Sequence, residues 1–304
     1  MLEQAVVFPG QGSQSVGMLN ELAAKYSMVE EMFAAVSTRL GYDLWNLVQQ
    51  GPEDKLNQTE YTQVAVLTAD VCVYKIFELE KPFPPKMMAG HSLGEYAALV
   101  CSGSINLVDA AEIVSIRGRL MQENVPLGLG AMAAIIGLTD EQTEEICHKA
   151  SSDVELVTPA NYNAHGQVVI AGHTAAVDRA IKLAEEAGAR MAKIIPVSVP
   201  CHCALLKNAA DKFSTALNKF TFKRPNCVVL SNVDLSVYDT DLQIKSLLKE
   251  QLYSPVQWVK IIDCMAKNGI NSIIECGPGK VLSGLIKRID KSINTDHALT
   301  GLLL

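Results

Sequence analysis

Residues Met88-Ala89-Gly90-His91-Ser92-Leu93-Gly94-Glu95-Tyr96-Ala97-Ala98-Leu99 place G-x-S-x-G at the join between a short apolar run and a helical pattern. A serine in that position sits on a tight, strained strand-to-helix turn. Small residues two positions away let the backbone close, and the hydroxyl is pushed out above a sheet. Gly90 and Gly94 meet that requirement. The turn also aims the first N–H groups of the helix at whatever binds there, so the Leu93 N–H can stabilise an oxyanion with the helix dipole assisting. A bare G-x-S-x-G is otherwise an ordinary Gly-Ser turn capping a helix. The flanking strand and helix favour a nucleophile at Ser92.

Working outward, apolar runs at 5–8, 86–89, 227–230 and 272–275 are each followed by Gly, Pro or Asn and then by a helical pattern, clearest at 61–80 and 107–124. Continuous apolar strands alternating with helices predict a parallel sheet covered on both faces, a three-layer, hydrolase-like α/β domain. The middle of the chain reads differently: strand 131–136, helix 140–150 capped by Thr139, strands 155–159 and 167–171, helix 175–187 and strand 190–195. That β-α-β-β-α-β order predicts a small ferredoxin-like domain, residues 127–197, inserted into a large one formed by 1–126 and 198–304.

Composition narrows the class. Hydrophobic residues are 49% and charged residues 19% of 304, a globular balance, and no apolar run approaches the roughly 18 residues of a membrane span. The N-terminal MLEQAVVFPGQGSQ carries Glu3 and no basic lead into an apolar stretch, so a cytoplasmic setting without a secretory signal is expected. A net charge of −7 argues against nucleic acid as a partner. The eight cysteines form no C-x-x-C pair, and the one close pair, Cys201 and Cys203, has no second ligand pair elsewhere in the chain, so neither a disulfide framework nor a metal site is expected. Gly10-Gln11-Gly12 lacks the third glycine of a dinucleotide fingerprint and the Lys-Ser/Thr of a P-loop, so no nucleotide cofactor is expected. Serine and histidine chemistry needs no metal either.

A serine hydroxyl needs a base, and there are six histidines. His148 lies in a charged helix, His165 and His173 in loops, and His297 in the C-terminal tail; alternation turns His91 away from the serine face. His202 remains. It lies in Val199-Pro200-Cys201-His202-Cys203-Ala204-Leu205-Leu206, at the start of a helix running to about residue 220, where the chain returns from the small domain and would face a cleft. No acid between Asp109 and Asp178 stands out as a third member, which weakens a simple esterase; a carbonyl can also fix the histidine tautomer.

With Phe8-Pro9-Gly10-Gln11-Gly12-Ser13-Gln14, the Ser92 segment, the helix carrying Arg117 and Glu275-Cys276-Gly277-Pro278-Gly279, the chain resembles the malonyl-CoA:acyl carrier protein transacylases from its first strand to its last helix. The resemblance implies ping-pong transfer of malonyl from malonyl-CoA, through Ser92, to the phosphopantetheine thiol of an acyl carrier protein, for fatty acid or polyketide synthesis. It implies His202 as base, the Gln11 N–H beside that of Leu93 in the oxyanion hole, the Gln251 carbonyl orienting His202, and Arg117 holding the malonyl carboxylate. Asn161 and Asn163 fall in a loop expected to contribute hydrogen bonds. A guanidinium fork binds a carboxylate with two charge-assisted bonds; on residue pattern alone Arg117 is equally a surface arginine, and family position decides. Cys201 stands where the related enzymes commonly carry a small polar residue.

Lys280, Lys287 and Arg288 offer an acidic carrier a basic helix face, although such faces are usually only solvated. A free-standing chain without heptads is expected to be a monomer. Two rivals remain: an acyl-thioester hydrolase using the same Ser-His pair, and a catalytically silent carrier-binding module.

Overall fold

The computed structural model describes residues 3–126, 128–197 and 199–303. The two expected domain boundaries, Leu127 and Ser198, lie outside the described residues.

Five strands form a wholly parallel sheet: β1 (Gln4–Phe8), β2 (Met87–Gly90), β7 (Val228–Val229), β8 (Ser272–Glu275) and β9 (Asn294–His297), in the order β7-β2-β1-β8-β9. Both faces of β1 are dry. Val6 and Phe8 join the larger apolar core with the helices Thr59–Glu80, Gly94–Cys101 and Leu107–Asn124, while Ala5 and Val7 pack with Trp258, Ile261, Leu282 and Leu285 from the helices Trp258–Lys267 and Val281–Ile289. Burial on both faces is the physical reason these strands read as unbroken apolar runs. Strand β9, NTDH, was not expected: it pairs at the sheet edge and buries no apolar run that could announce it.

Four further strands, β3 (Gly130–Ile136), β4 (Val157–Ala164), β5 (Gln167–His173) and β6 (Met191–Ile195), make a separate antiparallel sheet in the order β4-β5-β3-β6. The helices Asp140–Ala150 and Thr174–Glu186 cover one face through Ile146, Val177 and Ala180. The first begins at the cap foreseen at Thr139, which is a full capping box: its side chain accepts from Gln142 N while Gln142 returns a bond to the Thr139 N–H, an arrangement typically worth about 1 kcal/mol. The opposite face, with Met132, Val169 and Ala171, packs toward Cys201, Cys203 and Leu205.

One strand differs from expectation in a way that matters for the site. Strand β4 continues through Ala164, so Asn161 and Asn163 lie on a strand and not on a loop. Beyond its pairing with β5, the extension is held by an isolated bridge to the segment before Trp258–Lys267: Tyr162 N donates to Val256 O at 3.0 Å and Val256 N to Ala160 O at 2.9 Å. Among the described residues no helix is long and apolar enough to cross a membrane.

Candidate active site

The turn after β2 explains its own glycines. A Cβ on Gly90 would collide with the backbone of Gly94 and Glu95, and one on Gly94 with the carbonyl oxygens of Phe8 and Pro9, so strand and helix approach too closely for any side chain. Ser92 takes φ 53°, a left-handed conformation that costs a non-glycine residue about 1–2 kcal/mol. Two distant side chains hold it there: Ser92 N donates to Asn232 Oδ1 at 2.7 Å, and Ser92 O accepts from Gln251 Nε2 at 2.9 Å.

His202 arrives from the other side. It lies in a bend ahead of a single 3-10 turn (Ala204–Leu206) and the helix Lys207–Leu217, rather than at the start of one long helix, and it too is left-handed, φ 59°. The segment is not a strand either. Cys201 lines the central cavity and Cys203 packs beneath the small sheet. The His202 N–H is tied to Leu252 O at 3.0 Å and the ring is buried. Ser92 Oγ and His202 Nε2 stand 2.7 Å apart, and His202 Nδ1 stands 2.7 Å from Gln251 O. A carbonyl accepts only, so Nδ1 carries the proton and Nε2 is left free to accept from the serine. Burial, and then the positive charge of Arg117, push the His202 pKa down to about 3, keeping the imidazole neutral at physiological pH.

Arg117 is 1% exposed, on the inner face of Leu107–Asn124. Its Nη2 donates to Gln251 Oε1 at 2.9 Å and the guanidinium lies 5.7 Å over the Tyr96 ring centroid, but Nε has no hydrogen-bond partner. Among the described residues no carboxylate lies within ion-pair distance of it. A buried, incompletely paired cation is costly, and an anionic ligand that can reach it gains correspondingly.

These groups share one cavity of about 250 Å³, lined by Gln11, Ser92, Leu93, Arg117, Asn161, Asn163, Cys201 and His202 together with His91, Gln63, Val197 and Val281. Gln251 stands behind it, fully buried. His91 was expected to face away, and it does not: strand alternation has ended at the turn, and its Nε2 meets Asn163 Oδ1 at 2.7 Å inside the cavity wall. The Cys201 thiol is pushed up to about 11 by burial, so little thiolate is present near neutrality. The basic residues lie outside. Lys287 and Arg288 are exposed on the last turn of Val281–Ile289, where Arg288 Nη1 donates to Gln167 Oε1 at 2.6 Å. Lys280 is the non-helical N-cap, φ −137°, so it does not share a helical row with Lys287.

Two residues carry the site without a sequence signal. Glu95, 0% exposed, accepts from Asn232 N, Tyr238 Oη and Gln251 Nε2. Asn232 also donates from Nδ2 to Gly90 O at 2.7 Å, bracketing the serine turn. Among the described residues no group of three or more His, Cys, Asp or Glu side chains is placed to hold a metal ion.

Comparison with known proteins agrees over nearly the whole length. The acyl transferase domain family matches residues 5–300. A malonyl CoA-acyl carrier protein transacylase of Escherichia coli (strain K12) is 53% identical over 289 residues, 95% of this chain and 93% of that protein. The solved malonyl CoA-acyl carrier protein transacylase of Coxiella burnetii superposes with a TM-score of 0.97 at 46% identity, covering 99% of this chain and 96% of that one. A malonyl-transacylase solved in complex with its type II PKS acyl-carrier protein superposes with a TM-score of 0.96 at 45% identity, covering 99% of both chains.

Proposed function

The chain belongs to the acyl transferase domain family, and from that premise we propose how it moves a malonyl group from malonyl-CoA to the phosphopantetheine thiol of an acyl carrier protein. Ser92 Oγ attacks the thioester carbonyl as its proton passes to His202 Nε2. The N–H groups of Leu93 and Gln11 receive the oxyanion; the C–S bond then breaks and the imidazolium returns the proton to the leaving CoA sulfur. A malonyl ester on Ser92 remains. In the second half the carrier thiol gives its proton to His202, its sulfur attacks the ester, and Ser92 Oγ leaves with that proton. Gln251 O keeps the imidazole in the tautomer both halves need, in place of an acid, and Asn161 and Asn163 offer hydrogen bonds along the cavity wall.

The observation that carries the dicarboxylic substrate is Arg117, a buried guanidinium in the serine cavity with, among the described residues, no carboxylate within ion-pair distance. A malonyl carboxylate completes it, whereas an acetyl group leaves it unpaired. The same observation sets transfer of malonyl above the hydrolase of simple acyl chains, which has no use for such a clamp.

Around this chemistry we read residues 127–197 as an inserted ferredoxin-like domain and 1–126 with 198–304 as the hydrolase-like one. The protons moved are those of Ser92 and the carrier thiol, both relayed by His202, so the proposed chemistry calls on no cofactor beside the CoA substrate, and we place the enzyme in the cytoplasm as a monomer. Lys280, Lys287 and Arg288 border the carrier, by charge complementarity with an acidic partner. The test is to supply malonyl-CoA with carrier present and follow both products. Malonyl-carrier should form in large excess over free malonate; malonate as the main product would establish the hydrolase instead.

A further inference from the structure

Glu95 lies in the first turn of Gly94–Cys101, walled off from solvent and from the cavity. An ionised carboxylate only accepts hydrogen bonds. Oε1 takes the Asn232 N–H at 2.9 Å and the Tyr238 hydroxyl at 2.7 Å, and Oε2 takes the side-chain NH2 of Gln251. An acceptor in that place dictates which way the Gln251 amide turns. Its NH2 must face Glu95, so its carbonyl faces the opposite way, where Oε1 accepts from Arg117 Nη2 at 2.9 Å. With the amide turned over, NH2 would meet guanidinium N–H, donor against donor, and carbonyl would meet carboxylate. Arg117 therefore takes its direction from Gln251, and Gln251 takes its own from two acceptors on its NH2, the Glu95 carboxylate and the Ser92 carbonyl at 2.9 Å, of which the carboxylate carries the charge.

We propose that Glu95 is a specificity-determining positioning residue: acting through the Gln251 amide, it aims Arg117 into the cavity and so sets the preference for dicarboxylic over monocarboxylic acyl groups without touching either. The inference rests on Arg117 being the carboxylate site. A residue that merely held the fold would affect every acyl donor alike, whereas this link acts on donors bearing a free carboxylate. Burial pushes the Glu95 carboxyl up to about 7 while its three donors and Arg117 draw it down, so the charged form is dominant only on the alkaline side of neutrality.

The experiment is single-turnover acylation of Ser92 at about pH 8.5, above the Glu95 pKa, with malonyl-CoA and with acetyl-CoA as separate donors. Glu95→Gln sets an NH2 against the donors around it. Because a buried donor is left unpaired, the malonyl-to-acetyl rate ratio should fall about 5- to 150-fold. Glu95→Asp keeps the charge but withdraws it by one methylene, and should lower the ratio in the same sense should the Gln variant not fold. Tyr238→Phe removes a bond on Oε1 that leads to no residue of the cavity; it should lower thermal stability and keep the ratio. Equal losses with both donors in Glu95→Gln or Glu95→Asp would overturn the inference. Arg117→Ala separates the layers. If it collapses the ratio while the Glu95 variants do not, the Glu95 link alone fails; if it leaves the ratio intact, the carboxylate site fails and takes the link with it.

Discussion

Ser92 and His202 both occupy left-handed backbone, at φ 53° and 59°, yet the two are held by different means. Ser92 rides on a turn made by its neighbours, with Gly90 and Gly94 letting a strand and a helix close on each other. His202 has no such bracket. Its N–H and its ring are both held by the segment Gln251–Leu252, roughly fifty residues further on, and the cavity wall opposite comes from β4 of the other sheet. Both positions thus need tertiary contacts, Asn232 and Gln251 at Ser92 and Gln251–Leu252 at His202, but only Ser92 also has glycines beside it that permit its turn. The two ends meet in Gln251, which bonds Ser92 O from its side chain and His202 Nδ1 from its backbone.

The largest effect expected from breaking the local side is in Gly94→Ala. Its Cβ would overlap the Phe8 and Pro9 oxygens, which belong to the central strand and its exit and cannot yield as a side chain would. A loss of about 3 kcal/mol, or about 6–12 °C in Tm, is expected by thermal melt, with acylation falling alongside it.

The remote side is sharpened by pH. A histidine whose folded pKa is about 3, against about 6.5 unfolded, stays neutral in the native state while the unfolded chain takes up a proton. Its contribution is therefore present above about pH 6.5 and lost as pH falls toward 3. Glu95 works the other way, since its native carboxyl, raised to about 7, holds a proton that the unfolded chain releases above about 4.5, so its contribution is lost as pH rises through 7. Comparing wild type with His202→Ala by urea unfolding isolates the first. Whatever the gap at pH 6.5, it should shift against wild type by about 2 kcal/mol by pH 5; a constant gap would mean the imidazole titrates normally.

The same division governs what the sequence could reveal. The parallel strands and the long helices were legible because two-sided burial leaves continuous apolar runs, and the serine turn because its glycines are adjacent to it. Strand β9 was not, since an edge strand of Asn, Thr, Asp and His carries no apolar signal. Asn161 and Asn163 read as a loop because β4 runs on past Pro159 only through irregular register with β5, reinforced by a bridge to Val256 nearly a hundred residues away. Glu95 looked like an ordinary acidic residue in a first helical turn, where the dipole favours it in water. Only Asn232, Tyr238 and Gln251, all distant in sequence, make it a buried anchor. His91 was misdirected by carrying strand alternation one residue past the end of its strand.

The central claim is that Ser92 accepts a dicarboxylic acyl group under the joint control of His202 and Arg117. Its most direct test is the intact mass of the protein after brief exposure to equal amounts of malonyl-CoA and acetyl-CoA, without carrier. Wild type should carry one malonyl group, mapped by peptide digestion to Ser92, with acetyl a minor species, and Ser92→Ala should carry neither. A malonyl adduct that persists in Ser92→Ala, or an acetyl adduct that outcompetes malonyl on the wild-type enzyme, would contradict it.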